Sequence, residues 1–221
     1  MKRLANELSG SQNRQNCLIY GENAMKSRRD DLVETALKLF YIHGFNATGI
    51  DRILAESGVA KMTLYKHFRS KDELILAALH LRDERFRNWL MGEMEKASVD
   101  PVDRLLAMFD ALETWFRGEA FKGMGFSGCA FINAASEFGS QDHPAHRLSA
   151  EHKRRVVEYL EKLCSEAGFT ESRKIAEQLA LLKEGAIATA HVRNRVEAAG
   201  TAREMAKTLI AAAGRDKSPS A

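Results

Sequence analysis

Apolar residues recur three and four positions apart in residues 31–43, and this spacing is the periodicity of an amphipathic helix. The members of this stripe are Leu32, Val33, Ala36, Leu37, Leu39 and Phe40. Gly44 follows directly, in the position where a glycine commonly caps a helix C-terminus. Because β-branched residues are not gathered into runs anywhere in the chain, the pattern predicts an all-α protein.

Two short helices are predicted next. Thr48 stands three residues before Asp51, a near-match to a capping box, and indicates the start of a helix over "IDRILAES" that ends at Gly58. After the turn "GVA" the helical pattern resumes at Lys61 and runs to about His67. The two helices are therefore joined by a tight turn.

Longer helices fill the rest of the chain. Ser70 and Glu73 form an S-x-x-E capping box that opens a helix continuing to about residue 96. Asp100 followed by Pro101 marks the start of another, over "PVDRLLAMFDALETWF". Further helices are predicted over "CAFINAASEF", from about 143 to 168, from about 171 to 192 and from about 201 to 213. The sequence thus predicts about nine helices, three short ones followed by six longer ones.

The same pattern divides the chain into parts. Residues 1–25 lack stable periodicity and are rich in Ser, Asn, Gln and Gly, so we expect a flexible N-terminal tail. A further hypothesis is that translation starts at Met25. Residues 26–80 are expected to form a first domain, residues 81–214 a second, larger domain, and residues 215–221 a C-terminal tail.

Composition excludes several classes of protein. The longest uninterrupted apolar run, "LILAAL", is far shorter than the roughly 18 residues of a membrane span. The N-terminus begins basic but has no continuous apolar core, so it does not resemble a secretion signal. We therefore expect a cytoplasmic protein.

The three cysteines, Cys17, Cys129 and Cys164, stand at wide and unrelated spacings. This spacing argues against a disulfide framework and against a zinc site. No cation is adjacent to Cys129 in the sequence, so the favoured interpretation of this residue is a buried, inert thiol rather than an oxidant sensor.

Charge is distributed unevenly although the net charge is only +3. Residues 1–70 hold 11 Lys and Arg against 7 Asp and Glu, whereas the remaining residues hold 22 against 23. A positive excess in the first third of the chain suits a small module that meets a polyanion and is attached to a larger, neutral body.

The two short helices meet the physical requirements of a helix-turn-helix unit, whose second helix enters the DNA major groove. Ile53, Val59, Leu64 and Phe68 can pack together on the inner side. The residues of the second helix that remain to face outward are Lys61, Met62, Thr63, Tyr65, Lys66 and His67. Lysines and hydroxyls can bind phosphates, and Thr, His or Lys can reach base edges. The alternative is a three-helix packing unit whose basic face is only solvated.

The segment "TGIDRILAESGVAKMTLYKHFRSKDELI" resembles the DNA-binding segment of the TetR/AcrR family of bacterial transcriptional regulators. The matching positions are Phe40, Gly44, Phe45, Thr48, Ile50, Ile53, Gly58, Val59, Thr63, Leu64, Tyr65, His67, Phe68, Lys71 and Leu74. The resemblance implies DNA contacts by Thr48, Lys61, Met62, Thr63, Tyr65, Lys66, His67 and Lys71. Two positions depart from the family pattern: Ala60 stands where a capping serine is common, and Met62 where a small residue often sits.

The resemblance also implies that the remaining helices form a domain that dimerises and binds a small-molecule effector. The last two helices are rich in small residues, which lets helices approach closely, and are the expected homodimer interface. Candidate pocket residues are Phe109, Leu112, Phe116, Phe131, Asn133 and Glu137. For the apolar members plain core packing is the alternative, and for Asn133 and Glu137 a hydrogen bond at a helix end.

The function that follows is a homodimeric, ligand-responsive repressor that binds a palindromic double-stranded DNA operator and is released by a small molecule. A helical-bundle enzyme is a rival, but the chain has no nucleophile motif or phosphate-binding glycine loop. His143, His146 and His152 do not stand at metal-ligand spacing. No catalytic residue, metal or cofactor is therefore predicted. A second rival, a protein that binds DNA of any sequence, would need more positive charge.

Overall fold

The computed structural model describes residues 27–215 of the chain. The predicted tail at residues 1–25, the start hypothesis at Met25, Cys17 and residues 216–221 lie outside this range. Between residues 27 and 215 the chain is all-α, as predicted. Its helices are α1 (Arg28–His43), α2 (Ile50–Ser57), α3 (Lys61–His67), α4 (Lys71–Ala97), α5 (Pro101–Phe116), α6 (Ala130–Glu137), α7 (Pro144–Glu166), α8 (Ser172–Arg193) and α9 (Ala198–Ala212).

Helix α1 begins three residues before the predicted apolar stripe because Ser27 and Asp30 form a capping box. The Ser27 hydroxyl oxygen accepts a hydrogen bond from the Asp30 N–H, and the Asp30 carboxylate accepts one from the Ser27 N–H. The helix ends at Gly44, whose φ of 90° is a conformation that few other residues adopt.

Helix α2 is not capped by Thr48, so that prediction is wrong. The N-cap is Gly49, which offers no side chain, and the Thr48 hydroxyl instead donates to the Gly44 carbonyl at 2.8 Å. Thr48 is fully buried and joins the end of α1 to the start of α2. Helix α3 has the predicted bounds, and its N-cap, Ala60, makes no side-chain hydrogen bond.

Helix α4 is capped by Ser70, whose hydroxyl oxygen accepts from the Glu73 N–H at 3.2 Å. The Glu73 carboxylate accepts from the Arg69 N–H rather than from Ser70, so the predicted capping box is only half formed. The helix then continues for 27 residues without a break. It passes without a break through residue 80, where a domain boundary is predicted, and so belongs to both predicted domains.

The larger body consists of the end of α4 together with α5 to α9. Helices α7, α8 and α9 pack in sequence order, and α9 returns onto α5. Asp100 caps α5 as predicted, accepting from the Val102 and Asp103 N–H groups. None of the helices between residues 27 and 215 has both the length and the apolar character needed to cross a membrane.

Candidate DNA-binding surface and internal cavity

Helix α3 is held in place by apolar contacts on one side only. Leu64 is fully buried, and Ile53, Val59 and Phe68 are buried around it. All four belong to one continuous core with Phe40 of α1. The inner side of the helix-turn-helix unit is therefore packed as the sequence predicts.

The outer side of α3 presents the six residues predicted to face outward. We call this set, Lys61, Met62, Thr63, Tyr65, Lys66 and His67, the reading surface. Thr63 is partly buried and the others are exposed. Met62 has 82% of its surface exposed, which is unusual for a large apolar side chain and suits a contact surface.

The lysines of the reading surface form few ion pairs with other side chains. Lys61 Nζ lies 3.7 Å from an Asp51 carboxylate oxygen, and both side chains are exposed, so the pair contributes little stability. In the part of the chain that the structure describes, Lys66 forms no ion pair. Its ammonium group is thus available to a phosphate.

Two predicted contact residues lie beside the reading surface rather than on it. The Thr48 side chain is buried with its hydroxyl bonded to backbone carbonyls, so it is not presented to solvent. Lys71 is partly buried and its Nζ donates to the Asn46 carbonyl at 3.3 Å. Arg29 stacks over the Phe68 ring at 5.3 Å.

A small cavity of about 10 Å³, room for about one water molecule, lies among α4, α5, α6, α7 and α8. Its lining residues are Arg82, Phe86, Trp115, Cys129, Ala130, Phe131, His152, Lys183 and Ile187. Of the six predicted pocket residues only Phe131 borders it.

The other predicted pocket residues have different roles. Phe109, Leu112 and Phe116 are buried in the apolar core. The Asn133 amide donates to the Ser127 carbonyl at 3.2 Å, which is a local hydrogen bond at a helix start. Glu137 is not among the residues that line this cavity, and its role in a ligand pocket stays a prediction.

Glu137 connects the body to the N-terminal helices α1 and α2. Its two carboxylate oxygens accept from the N–H groups of Phe45 at 2.9 Å and Asn46 at 2.7 Å, in the turn between α1 and α2. Tyr41 of α1 makes a second connection: its hydroxyl accepts from the Ser127 N–H at 2.8 Å and donates to the Gly128 carbonyl at 3.0 Å. Both links join α6, or the loop before it, to α1 or to the turn that follows α1.

A network of hydrogen bonds around the buried Asp83 adjoins the cavity through His152. The carboxylate accepts two hydrogen bonds from Arg87, one from Arg155 at 3.0 Å and one from His152 Nδ1 at 2.8 Å. Burial raises the pKa of Asp83, but the hydrogen bonds from His152 and Arg87 outweigh it and hold the pKa well below its usual range. Burial, assisted by the nearby Lys183 and Lys153, lowers the pKa of His152 to about 4 despite its bond to Asp83. His152 is therefore neutral at pH 7.

Cys129 has a cationic neighbour that its sequence context did not indicate. Lys153 Nζ, on α7, lies 3.3 Å from the Cys129 sulfur and donates to a Glu184 carboxylate oxygen at 2.6 Å. Glu184 also pairs with the fully buried Lys183. The thiol is buried, as predicted, but it adjoins an ammonium group rather than a purely apolar surface.

Arg82 and Lys183 were not identified from the sequence, although a signal was present. Arg82 stands four residues from both Ala78 and Phe86, and Lys183 four residues from Ile187, on stripes of otherwise buried residues. A charged residue in a core position of a helix predicts either a buried ion pair or a ligand contact.

The outer side of α8 and α9 carries exposed apolar side chains. Leu181 is 73% exposed, Val192 82% and Met205 54%. Between the two helices lies an open groove with Gly185 and Ala198 in its lining. A face of this kind is typical of a protein–protein contact.

Two family profiles match the chain. One, described as "Bacterial regulatory proteins, tetR family", matches residues 32–78, and the other, "Tetracyclin repressor-like, C-terminal domain", matches residues 101–210. The HTH-type transcriptional regulator YjdC of Escherichia coli is 23% identical over 183 residues, 83% of this chain and 93% of that protein. An HTH-type transcriptional repressor of Mycolicibacterium smegmatis is 33% identical over 94 residues, 39% of this chain and 44% of that protein.

Solved structures are similar over most of the chain. A TetR-family transcriptional regulator from Streptomyces coelicolor has a TM-score of 0.75 and 29% identity, covering 83% of this chain and 94% of that one. A TetR transcriptional regulator from Chloroflexus aurantiacus has a TM-score of 0.73 and 22% identity, covering 85% and 96%. The two similarities extend across the helix-turn-helix unit and the body together.

Proposed function

The chain belongs to the TetR family of bacterial transcriptional regulators, and from that premise we propose that it is a homodimeric repressor released from a palindromic operator by a small molecule. It acts by binding DNA in the cytoplasm and not by catalysis. The observation that carries the proposal is the reading surface: α3 is packed on one side and presents exposed lysines, hydroxyls and an exposed methionine on the other.

The reading surface has the chemistry that operator recognition requires. Lys61 and Lys66 supply positive charge for phosphates, and Tyr65 supplies a hydroxyl on a side chain that is half exposed. Thr63 and His67 can reach base edges from the same helix. Lys71 is held at the turn between α1 and α2, where it adds positive charge beside α3.

Operator recognition is tested by comparing two DNA fragments at one salt concentration. We expect the purified protein to bind the region upstream of its own gene about a thousandfold more tightly than unrelated DNA of equal length. Equal affinity for both fragments would favour the rival function of a sequence-indifferent DNA-binding protein. No binding to either fragment would contradict both functions.

The proposed dimer interface is the outer side of α8 and α9. Leu181 and Met205 are exposed there beside a groove with small residues, so a second copy of the pair could cover them in a four-helix arrangement. Two reading surfaces on one dimer would then meet two half-sites of a symmetric operator.

Substituting Leu181 by glutamate should dissociate the dimer, because association would bury an unpaired carboxylate in the apolar contact. We expect the dimer Kd to rise at least about a hundredfold, measured by analytical ultracentrifugation. The matched control is Val99→Glu, since Val99 is 90% exposed in the connection between α4 and α5. A dimer equally stable in both variants would exclude this interface.

Coupling between the body and the reading surface is proposed to pass through Glu137. A ligand that displaces α6 would act on Phe45 and Asn46, because both backbone N–H groups donate to this carboxylate. The α1–α2 turn would then move relative to the body and change the separation of the two reading surfaces. The ligand must bind more tightly to the state that does not fit the operator.

The substitution Glu137→Gln tests this link without needing the effector. Glutamine has one acceptor oxygen and no charge, so one N–H group loses its partner and the remaining bond weakens. We expect hydrogen exchange at the Phe45 and Asn46 amides to accelerate about tenfold or more. Glu158→Gln, an exposed position on α7, is the control and should leave both amides unchanged. Unaltered exchange in Glu137→Gln would remove Glu137 from the coupling mechanism.

A further inference from the structure

Met62 exposes a long apolar side chain on the side of α3 that faces away from the core. It is 82% exposed, and between residues 44 and 80 the only other exposed large apolar side chain is Tyr65, at 49%. Leu64, on the opposite side of the same helix, is fully buried. The apolar surface of Met62 is therefore part of the reading surface and not of the packing that holds α3 in place.

The Met62 side chain contributes little to the stability of the folded protein. An apolar side chain stabilises a fold by leaving water, and Met62 remains in water. Substitutions at such exposed positions change the free energy of unfolding very little. A variant at this position therefore reports on binding and not on folding.

The place of Met62 in α3 directs it toward the bases. It is the second residue of the helix, and the N-terminal residues of a recognition helix are those that contact base edges in the major groove. Tyr65 and Lys66 follow three and four positions later, so all three lie on one side of the helix. The lysine can bind a phosphate, whereas Met62 has no donor with which to do so.

The chemistry of a thioether restricts what Met62 can contact in the major groove. Its sulfur is only a weak acceptor, and the side chain has no hydrogen-bond donor. The N7, O6 and amino groups of guanine, adenine and cytosine would lose water against this side chain without gaining a good partner. Thymine alone presents an apolar group there, its C5-methyl. Contact with that methyl group removes apolar surface of both partners from water.

Methionine also has the reach for this contact. Its side chain is unbranched, has three rotatable bonds and adapts to the surface that it meets. Thr63, which carries the neighbouring methyl group, is partly buried. Among the apolar groups of the reading surface, the end of the Met62 side chain is thus the most accessible to a base.

We propose that Met62 determines sequence specificity by packing against the C5-methyl group of a thymine, once in each half-site of the operator. Cytosine at the same position is rejected because it lacks the methyl group and turns its N4 amino group toward an apolar side chain. The inference rests on the proposed function, since it names the base that the reading surface of the same regulator recognises.

The test removes single methyl groups from the DNA. The region upstream of the gene is synthesised with deoxyuridine replacing thymidine at random single positions and is incubated with the full-length protein. Cleavage at uracil in the bound and free fractions then maps the thymines whose methyl groups contribute to affinity. We expect two such thymines, related by two-fold symmetry, each weakening binding about fourfold, the effect of one buried methyl group. Replacing both should weaken binding about fifteenfold.

Three variants assign the effect to Met62. Met62→Ala should bind the unmodified DNA at least about tenfold more weakly, and uracil at the two thymines should then cause no further loss, because the partner of the methyl group is absent. Met62→Leu keeps an apolar side chain and should keep the sensitivity to uracil. Thr63→Ser is the matched control: it removes the neighbouring methyl group, retains the hydroxyl and should leave the same two thymines sensitive. Circular dichroism checks that each variant is folded.

Two results would overturn the inference: no thymine sensitive to uracil in the wild type, or the same sensitive thymines in Met62→Ala as in the wild type. The second result would assign the methyl contact to another residue. Specific binding to the unmodified upstream DNA is measured in the same experiments. If that binding is observed and either result is obtained, only the thymine contact of Met62 is wrong; if it is absent, the proposed function fails and the inference fails with it.

Discussion

Replacing Tyr65 by alanine is expected to remove most of the specific operator binding while the dimer stays folded. The Tyr65 side chain is half exposed on α3 and contributes nothing to the buried face formed by Leu64 and Phe68. Each dimer loses two contacts, so a loss of about 1.5 kcal/mol at each half-site weakens operator affinity about a hundredfold or more. The measurement is a mobility-shift titration, with circular dichroism as the check on folding.

Lys66→Ala complements this variant because it removes a charge rather than a hydroxyl. We expect it to weaken binding to all DNA sequences and to make the affinity less dependent on salt concentration. The matched control is Lys162→Ala, an exposed lysine on α7 that pairs with Glu166. Unchanged operator affinity in both the Tyr65 and Lys66 variants would contradict the assignment of the reading surface.

Acidification is expected to destabilise the protein at a pH where most carboxylates are still ionised. The pKa of His152 in the folded chain is about 4, against about 6.5 in an unfolded chain, because burial disfavours its charged form. The unfolded state therefore binds more protons between these values, and stability falls as the pH drops through this window. Between pH 7 and pH 4.5 the loss is about 2.5 kcal/mol per chain, seen as a decrease in Tm of about 5 to 10 °C.

His152→Asn separates this effect from other acid-sensitive groups. The asparagine amide can still donate to Asp83 but cannot titrate, so the decrease in Tm between pH 7 and pH 4.5 should largely disappear. Asp83 itself, whose pKa is depressed, stabilises the fold above its unfolded pKa of about 3.9, and this stabilisation is lost only at lower pH. An identical pH dependence in the variant and the wild type would show that His152 is not the group responsible.

The reading surface could be predicted from the sequence because its determinants are local. Helix α3 has the predicted bounds, and the split between buried Leu64 and exposed Tyr65 follows from helix periodicity alone. The start of α5 follows equally from Asp100 and Pro101, whose capping geometry needs only adjacent residues.

Interactions between distant segments could not be predicted in the same way. Glu137 reaches the N–H groups of Phe45 and Asn46, more than ninety positions earlier in the chain, and helix spacing does not reveal such a partner. Thr48 matches the sequence separation of a capping motif, but its hydroxyl donates to the Gly44 carbonyl, four residues earlier, and the side chain is fully buried. A local sequence motif can predict a hydrogen bond between neighbouring residues, but not a contact between helices that are distant in the sequence.

The position of the cavity could not be predicted from the sequence either. For Phe109, Leu112 and Phe116 on α5 the sequence leaves a pocket and plain core packing as alternatives; all three are buried in the core, and the small cavity lies beside Arg82 and Lys183. Which core positions leave a void depends on the relative placement of five helices. Periodicity could identify a charged residue on a buried stripe, but not its neighbours on other helices.

The most direct test of the central claim is a hydroxyl-radical footprint of the wild-type protein on the DNA upstream of its gene. A dimer with two reading surfaces predicts two protected patches related by two-fold symmetry on one side of the duplex. Their centres should be about 34 Å apart, one helical turn, or a whole multiple of that distance. A single unsymmetric patch, or uniform protection along the fragment, would contradict a dimeric regulator that reads a symmetric operator.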